Sequence, residues 1–323
     1  MAGVADGGER DPGGRERPSV LDPSAPTLTA GDLRAVFLPR LGMLGASLRH
    51  DDEELLGRVD DLASFALTGA VCGVPLLHPW ANRLAGPRYR AAGRDVALDP
   101  ASPLLYLDEH GLPMHGVPWS RLSWRVTGHD ESALDARLDW AAGDLLAVFP
   151  FPHRLDLAVR LRPGGLTVET ALVAGPEGPV PVAFGFHPYL SLAGLPRAEW
   201  RVRLPAMRRL LLDGRKIPTG ETAPAPPLDA SLGGLDLDDG FAVLEQPAAF
   251  TLAGRGRRLS VELLEGYPYA QVYAPRGGDY LAFEPMTAPA NALVSGRGLR
   301  LLAPGERFRA TFRIGVEALP RAG

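Results

Sequence analysis

The chain is 323 residues long, 46% hydrophobic and 22% charged, with a formal net charge of −4. That length can bury a large apolar core, and the near-balanced charge excludes a strongly basic nucleic-acid binder and a polyanionic solvating chain. A single cysteine, Cys72, excludes an intrachain disulfide framework and any cysteine-built zinc site.

Residues 1–26 are mostly Gly, Pro, Ala and charged groups, with no apolar stretch for a signal peptide. They read as a disordered tail on a cytoplasmic protein. The stretch from Leu62 to Ala81 is charge-free but carries Ser64, Thr68, two prolines and His78. It suits buried strand and loop better than a membrane span.

Strand signals dominate the rest. Leu155, Leu157, Val159 and Leu161 alternate with wetter residues, Pro163-Gly164-Gly165 turns the chain, and Leu166, Val168, Thr170 and Leu172 alternate in their turn. This is a hairpin with one buried face. Phe308 to Val316 alternates likewise, and Arg34–Leu38, Leu259–Leu264, Tyr269–Tyr273 and Tyr280–Phe283 are shorter runs of the same kind. Pro218–Leu228, rich in Pro, Thr and Ala, reads as a long surface loop. Nowhere does a long stretch hold a helical period, and 38 glycines and 32 prolines punctuate the chain. The pattern predicts an all-β protein, a large antiparallel sandwich forming a single domain over residues 27–320.

Codon bias toward Arg, Val, Ala and Gly accounts for the scarcity of other residues. Lys216 is the only lysine, and Asn82 and Asn291 are the only asparagines. An amide retained in such a chain is expected to do work that its commoner neighbours cannot.

Four segments concentrate polar groups in apolar or turn-rich text. His78-Pro79-Trp80-Ala81-Asn82-Arg83 offers an amide and a guanidinium beside an indole face, a set suited to a ligand with several hydroxyls. His110-Gly111-Leu112-Pro113-Met114-His115 places two histidines five apart across a proline, which is not a helical metal-ligand spacing. Phe184-Gly185-Phe186-His187-Pro188-Tyr189 holds a histidine among aromatics, a setting for proton transfer near neutral pH. Phe283-Glu284-Pro285 puts a carboxylate at the end of an apolar strand, where its pKa would rise. Each has a plain alternative as a turn amide, a core histidine or a capping carboxylate. Asp238 and Asp239 form a further acidic turn.

Taken in order, Asn82-Arg83, His115-Gly116, His187-Pro188-Tyr189, Asp238 and Glu284-Pro285 resemble the aldose 1-epimerase (galactose mutarotase) family. The resemblance runs from about residue 30 to 318, and the texts HPWANRL, FGFHPYLSL and FEPMTAPANAL look most like its bacterial branch. It implies a β-supersandwich with an open sugar cleft and anomer interconversion of a free aldose, with no metal or organic cofactor. By the same resemblance Glu284 is the base at O1 and His187 the acid at the ring oxygen. His115 supports charge at that oxygen, with His110 as a rival. Arg83, Asn82 and Asp238, or Asp239 in its place, hold hydroxyls, and Trp80 or Phe186 stacks on the sugar. Galactose-specific members carry Gly-Arg-Val before Ala-Asn-Arg and an Asn before the acidic histidine; here Pro75 to Trp80 and Phe186 stand there. The expected partner is a monosaccharide, with neither nucleic acid nor membrane; oligomeric state stays open. A hexose-6-phosphate epimerase and a non-catalytic carbohydrate-binding protein are the alternatives. Glycoside hydrolysis fits less well, because it wants two carboxylates.

Overall fold

The computed structural model describes residues 24–319; the expected N-terminal tail falls outside the described residues as far as residue 23. Alternation governs the architecture. The predicted hairpin forms as His153–Arg162 and Gly165–Ala174, with Leu155 opposite Leu172 and Leu161 opposite Leu166. Their apolar row is buried, each such side chain stabilising by about 1.5–3 kcal/mol. Arg307–Ala318 pairs with the far side of this hairpin and sets Phe312 beside Val168 and Ile314 beside Leu166.

These three strands are the centre of a nine-stranded, wholly antiparallel sheet. A second, eight-stranded sheet runs in the order Pro218–Ala225, Met207–Leu212, Leu237–Val243, Tyr269–Ala274, Leu281–Met286, Gly185–Phe186, Leu76–Leu77, with Tyr189–Leu190 also on Leu281–Met286. The two sheets meet through aromatic pairs. Phe250 lies 5.6 Å from Phe283, and Phe186 lies 5.0 Å from Phe312, each pair spanning both sheets. One continuous apolar core fills the space between them. A four-stranded N-terminal sheet from Thr27 to Glu54 packs beside it.

Two expectations need correction. Pro218–Ala225 is an edge strand of the eight-stranded sheet, paired with Met207–Leu212, and not a loop. An edge is where prolines are tolerated, since only one side needs a ladder donor. Leu62–Thr68 is a short helix, its start capped by Asp61 and its end set by Gly69 at φ +76°, so the Leu62–Ala81 stretch is only in part strand and loop. Only Leu62 of that helix is buried. Among the described residues no helix is long and apolar enough to cross a membrane.

Candidate active site

The register of the eight-stranded sheet selects which side chains face away from the core. Directly opposed residues of an antiparallel pair share a face, and neighbours along a strand alternate. Phe283 points between the sheets onto Phe250, so Glu284 points outward. Gln271 stands opposite Glu284, and Tyr273 is one step of the same row further. Asp238 opposes Tyr273 and joins the outward face, whereas Asp239 opposes Val272 in the core-facing row. Gly185 opposes Met286, which gives Phe186 to the core and turns His187 outward. A Cβ at Gly185 would come within 2.7 Å of the Pro285 carbonyl oxygen, so glycine is needed for this close approach.

The outward face floors a cavity of about 280 Å³ whose wall includes Glu284, His187, His115, Asn82, Arg83 and Asp238. Pockets of about 300–1,000 Å³ take small molecules, and this one lies at the small end of that scale.

At its floor, His187 Nε2 lies 3.1 Å from Glu284 Oε1, with the two side chains 4% and 2% exposed. Burial, then the nearby Asp238 charge, pushes the Glu284 carboxyl well above the carboxylate range, with Arg83 opposing. Burial, then His115, pushes His187 well below the usual imidazole range. Both shifts disfavour a net charge on the pair, which therefore holds one proton between two groups. Glu284 Oε2 and His187 Nδ1 have no partner among the described residues. Tyr189 stacks on His187 at 4.3 Å and fixes the ring plane.

Two loops form the adjoining wall and are bonded to one another. His115 N donates to the Asn82 carbonyl at 2.9 Å, and Asn82 N donates to His115 Nδ1 at 3.2 Å. Nδ1 is thus an acceptor, so the neutral ring carries its proton on Nε2, which has no partner among the described residues. Burial, then Arg83, drives the His115 pKa down to about 3, so this ring is a neutral donor at physiological pH. Asn82 and His115 both adopt left-handed backbone, φ +59° and +62°. Gly116 follows at φ +71°, and a Cβ there would collide with the His78 carbonyl, which explains the His-Gly text.

Arg83 Nε donates to Asp108 Oδ2 at 2.7 Å, and its Nη1 reaches Asn82 Oδ1 at 3.4 Å. Asp108 also accepts from the backbone amides of His110 and Leu112, both at 2.9 Å. Asn291 straps the loop from outside: its N–H donates to the Arg83 carbonyl at 2.7 Å and its Oδ1 accepts from Ala85 N at 2.8 Å. On the opposite wall Asp238 accepts from Gln271 Nε2 and Lys216 Nζ, both at 2.7 Å. Lys216 Nζ is also 3.7 Å from Glu109.

Seven of the residues singled out in the sequence thus have determined places: Glu284, His187, His115, Asn82, Arg83 and Asp238 share the cavity wall, while Asn291 braces it. Trp80 does not; it is buried against Tyr89, 6.4 Å away, because its loop turns the indole inward. Phe186 is core, and neither ring can stack on a ligand in this cavity. Asp239 lies on the other face, 3.9 Å from Arg209, where burial raises its pKa. His110 is on the surface beside Glu109 and lines no part of the cavity, which leaves His115 in the site. Sequence reasoning passed over Arg58, Asp108, Gln271, Tyr273 and Lys216, all of which line it. Among the described residues the one group with metal-ligand spacing, Asp32, His50 and Asp51, contributes nothing to the wall.

The chain is thus a two-sheet antiparallel sandwich with a buried Glu/His pair in a polar cleft, and comparison places it in a family. The aldose 1-epimerase family profile matches residues 26–315, and the chain belongs to that family. It is 28% identical over 273 residues to the uncharacterized protein YihR of Escherichia coli (strain K12), covering 75% of this chain and 80% of that one. Among solved structures, a galactose mutarotase-like protein from Clostridium acetobutylicum superposes with a TM-score of 0.77 at 18% identity, covering 91% of this chain and 95% of that one. The Slr1438 protein from Synechocystis sp. PCC 6803 gives 0.75 at 23% identity, covering 98% and 100%. At those identities the structural matches establish the fold.

Proposed function

We propose that this protein is an aldose 1-epimerase, interconverting the α and β anomers of an aldose whose C1 hydroxyl is free. The observation that carries this reading is the 3.1 Å approach of His187 Nε2 to Glu284 Oε1 on the cavity floor. Mutarotation needs a base at O1 and an acid at the ring oxygen. Those two oxygens share one carbon, so the groups that serve them must be neighbours.

In the forward step Glu284 takes the O1 proton, the C1 to ring-oxygen bond breaks with its electron pair on the ring oxygen, and His187 protonates that oxygen. The open-chain aldehyde rotates about C1–C2. Closure on the other face reverses both proton transfers and restores the starting state. Glu284 as carboxylate with His187 as imidazolium has the same proton count as the neutral pair, so one proton crossing the short contact readies the site. The His115 Nε2–H is a neutral donor for the ring oxygen as charge develops there. Arg83, Asn82, Asp238 and Gln271 hold hydroxyls.

Two proton-transfer groups, each worth about 10²–10⁴-fold, suffice for a reaction that already proceeds in water. Polarimetry on freshly dissolved α-D-glucose and α-D-galactose, with and without enzyme, tests this. Accelerated equilibration that His187→Ala abolishes is expected. Sugar binding without acceleration would replace the enzyme reading with a carbohydrate-binding one.

A further inference from the structure

The cavity wall holds three cations, and two of them are paired with carboxylates: Arg83 with Asp108, and Lys216 with Asp238. Arg58 is the third. Among the described residues no carboxylate lies within ion-pair distance of it, and its Nε and Nη1 bond to the Val71 carbonyl at 3.1 Å and the Tyr280 hydroxyl at 3.3 Å. The guanidinium sits over the rings of Phe65, Tyr189 and Tyr280 at 4.6, 5.4 and 5.4 Å. It is thus held in place by aromatic faces that do not cancel its charge. The backbone reinforces this: Arg58 takes φ +57°, and a Cβ on Gly57 would lie 2.7 Å from Tyr280 Cβ.

The position of this cation has a chemical meaning that rests on the mutarotase reading. Asp238 stands on Gln271, which opposes Glu284 on the neighbouring strand, whereas Arg58 lies over Tyr189, whose ring stacks on His187. Glu284 marks O1 and His187 marks the ring oxygen. The flank beyond His187 therefore receives the ring carbon on the far side of the ring oxygen, with its exocyclic group. We propose that the cleft takes aldoses bearing a negative charge on that exocyclic group, with Arg58 as its counter-ion. A carboxylate or a phosphate presents the shared chemistry, oxygens able to accept from a guanidinium edge.

Anomer exchange measured by magnetisation-transfer NMR on D-glucose, D-glucuronate and D-glucose 6-phosphate tests this with the full chain. The expected result is a kcat/KM for one of the anions exceeding that for glucose by about 10- to 100-fold, as a charge-assisted hydrogen bond provides. In Arg58→Gln that ratio should collapse toward one, and in Arg58→Lys it should partly recover; the preferred anion tells carboxylate from phosphate. Faster exchange of glucose than of either anion overturns the proposal and leaves the mutarotase reading standing, as does an equal loss on all three sugars in Arg58→Gln. If no sugar is accelerated, the mutarotase reading fails and calorimetry decides: an anion that binds the wild type and not Arg58→Gln sustains the Arg58 site, and no binding removes it.

Discussion

His187 Nε2 and Glu284 Oε1 lie 3.1 Å apart, on side chains that are both almost wholly buried. Neither strand order nor loop length makes this contact by itself. It follows from two independent alternations, Phe283 inward with Glu284 outward and Phe186 inward with His187 outward, in segments that pair on one sheet. The apolar neighbours therefore aim the polar pair, and the same packing that stabilises the sandwich sets the distance over which a proton is shared.

Glu284→Gln keeps the shape and the hydrogen bond to His187 but cannot take a proton. Turnover should fall by about 10²–10⁴-fold, while sugar binding measured by calorimetry changes little. Near-normal polarimetric rates in this variant would remove Glu284 from the base role.

Much of this was legible in the sequence because alternation and turn chemistry are local. The hairpin from Leu155 to Leu172 and the Phe308–Val316 run fold as their patterns require. What was not legible depends on which way a loop turns. Trp80 and Phe186 sit next to site residues in sequence and face the core, because adjacency along a chain says nothing about face. Asp238 and Asp239 could be separated only by register, since Tyr273 and Val272 opposite them point to different faces. The scarcity that drew attention to Asn82 and Asn291 applies equally to Lys216 and to Gln271, one of two glutamines, and both stand on Asp238. Arg58 and Asp108 had no such signal, because arginine and aspartate are common here.

Four histidines are buried neutral, and their linkage to folding has a definite sign. His153 Nδ1 lies 2.6 Å from the Phe151 carbonyl, so it carries the proton there and its Nε2 accepts from His78 Nε2 at 2.9 Å. Burial lowers His153 to about 4 and His115 to about 3, and pushes His78 and His187 well below the usual value. Below about pH 6.5 the unfolded chain binds protons that the folded one refuses. The stability these groups contribute is fully present above that pH and is lost as the pH falls toward the folded-state values. His78, His115 and His153 should each cost about 1.4 kcal/mol per pH unit within the window, whereas the loss at His187 is offset by Glu284, which keeps in the folded state a proton that the unfolded carboxylate has lost. Urea midpoints at pH 7.5, 6 and 5 should fall in that order; a flat or rising series would contradict it.

Asp108 offers a second test of the wall. Its side chain is 1% exposed and that of Arg83 is 7% exposed, so removing the charge strands a buried guanidinium. Asp108→Asn retains an acceptor for the amides of His110 and Leu112 while ending the ion pair. Breaking a buried pair costs about 3–5 kcal/mol, and the lower end is expected because Glu109 remains 3.7 Å from Arg83. Chemical denaturation should show that loss, and KM should rise more than kcat falls, since in the proposed mechanism Arg83 holds substrate and moves no proton. An unchanged KM would show that Arg83 does not need Asp108 for its position.

Lys216 reaches from a turn closed by Asp213, which accepts from the amides of Arg215 and Ile217, to neutralise Asp238 at 2.7 Å. Asp238 is the charge that, after burial, pushes Glu284 up. The lysine is therefore a positioning residue with an electrostatic reach beyond its own contact. In Lys216→Met the negative field at Glu284 strengthens, its carboxyl rises further, and the Glu284–His187 pair keeps its single proton to higher pH. The alkaline limb of the kcat/KM profile should move upward by about one pH unit at most. Asp238→Asn should move it downward, since the charge that raises Glu284 is gone. Lys216→Arg should restore the wild-type limb, because a guanidinium supplies the same charge to Asp238. A lysine that merely tied down its turn would leave the limb in place in Lys216→Met, whatever happened to the rate at the plateau.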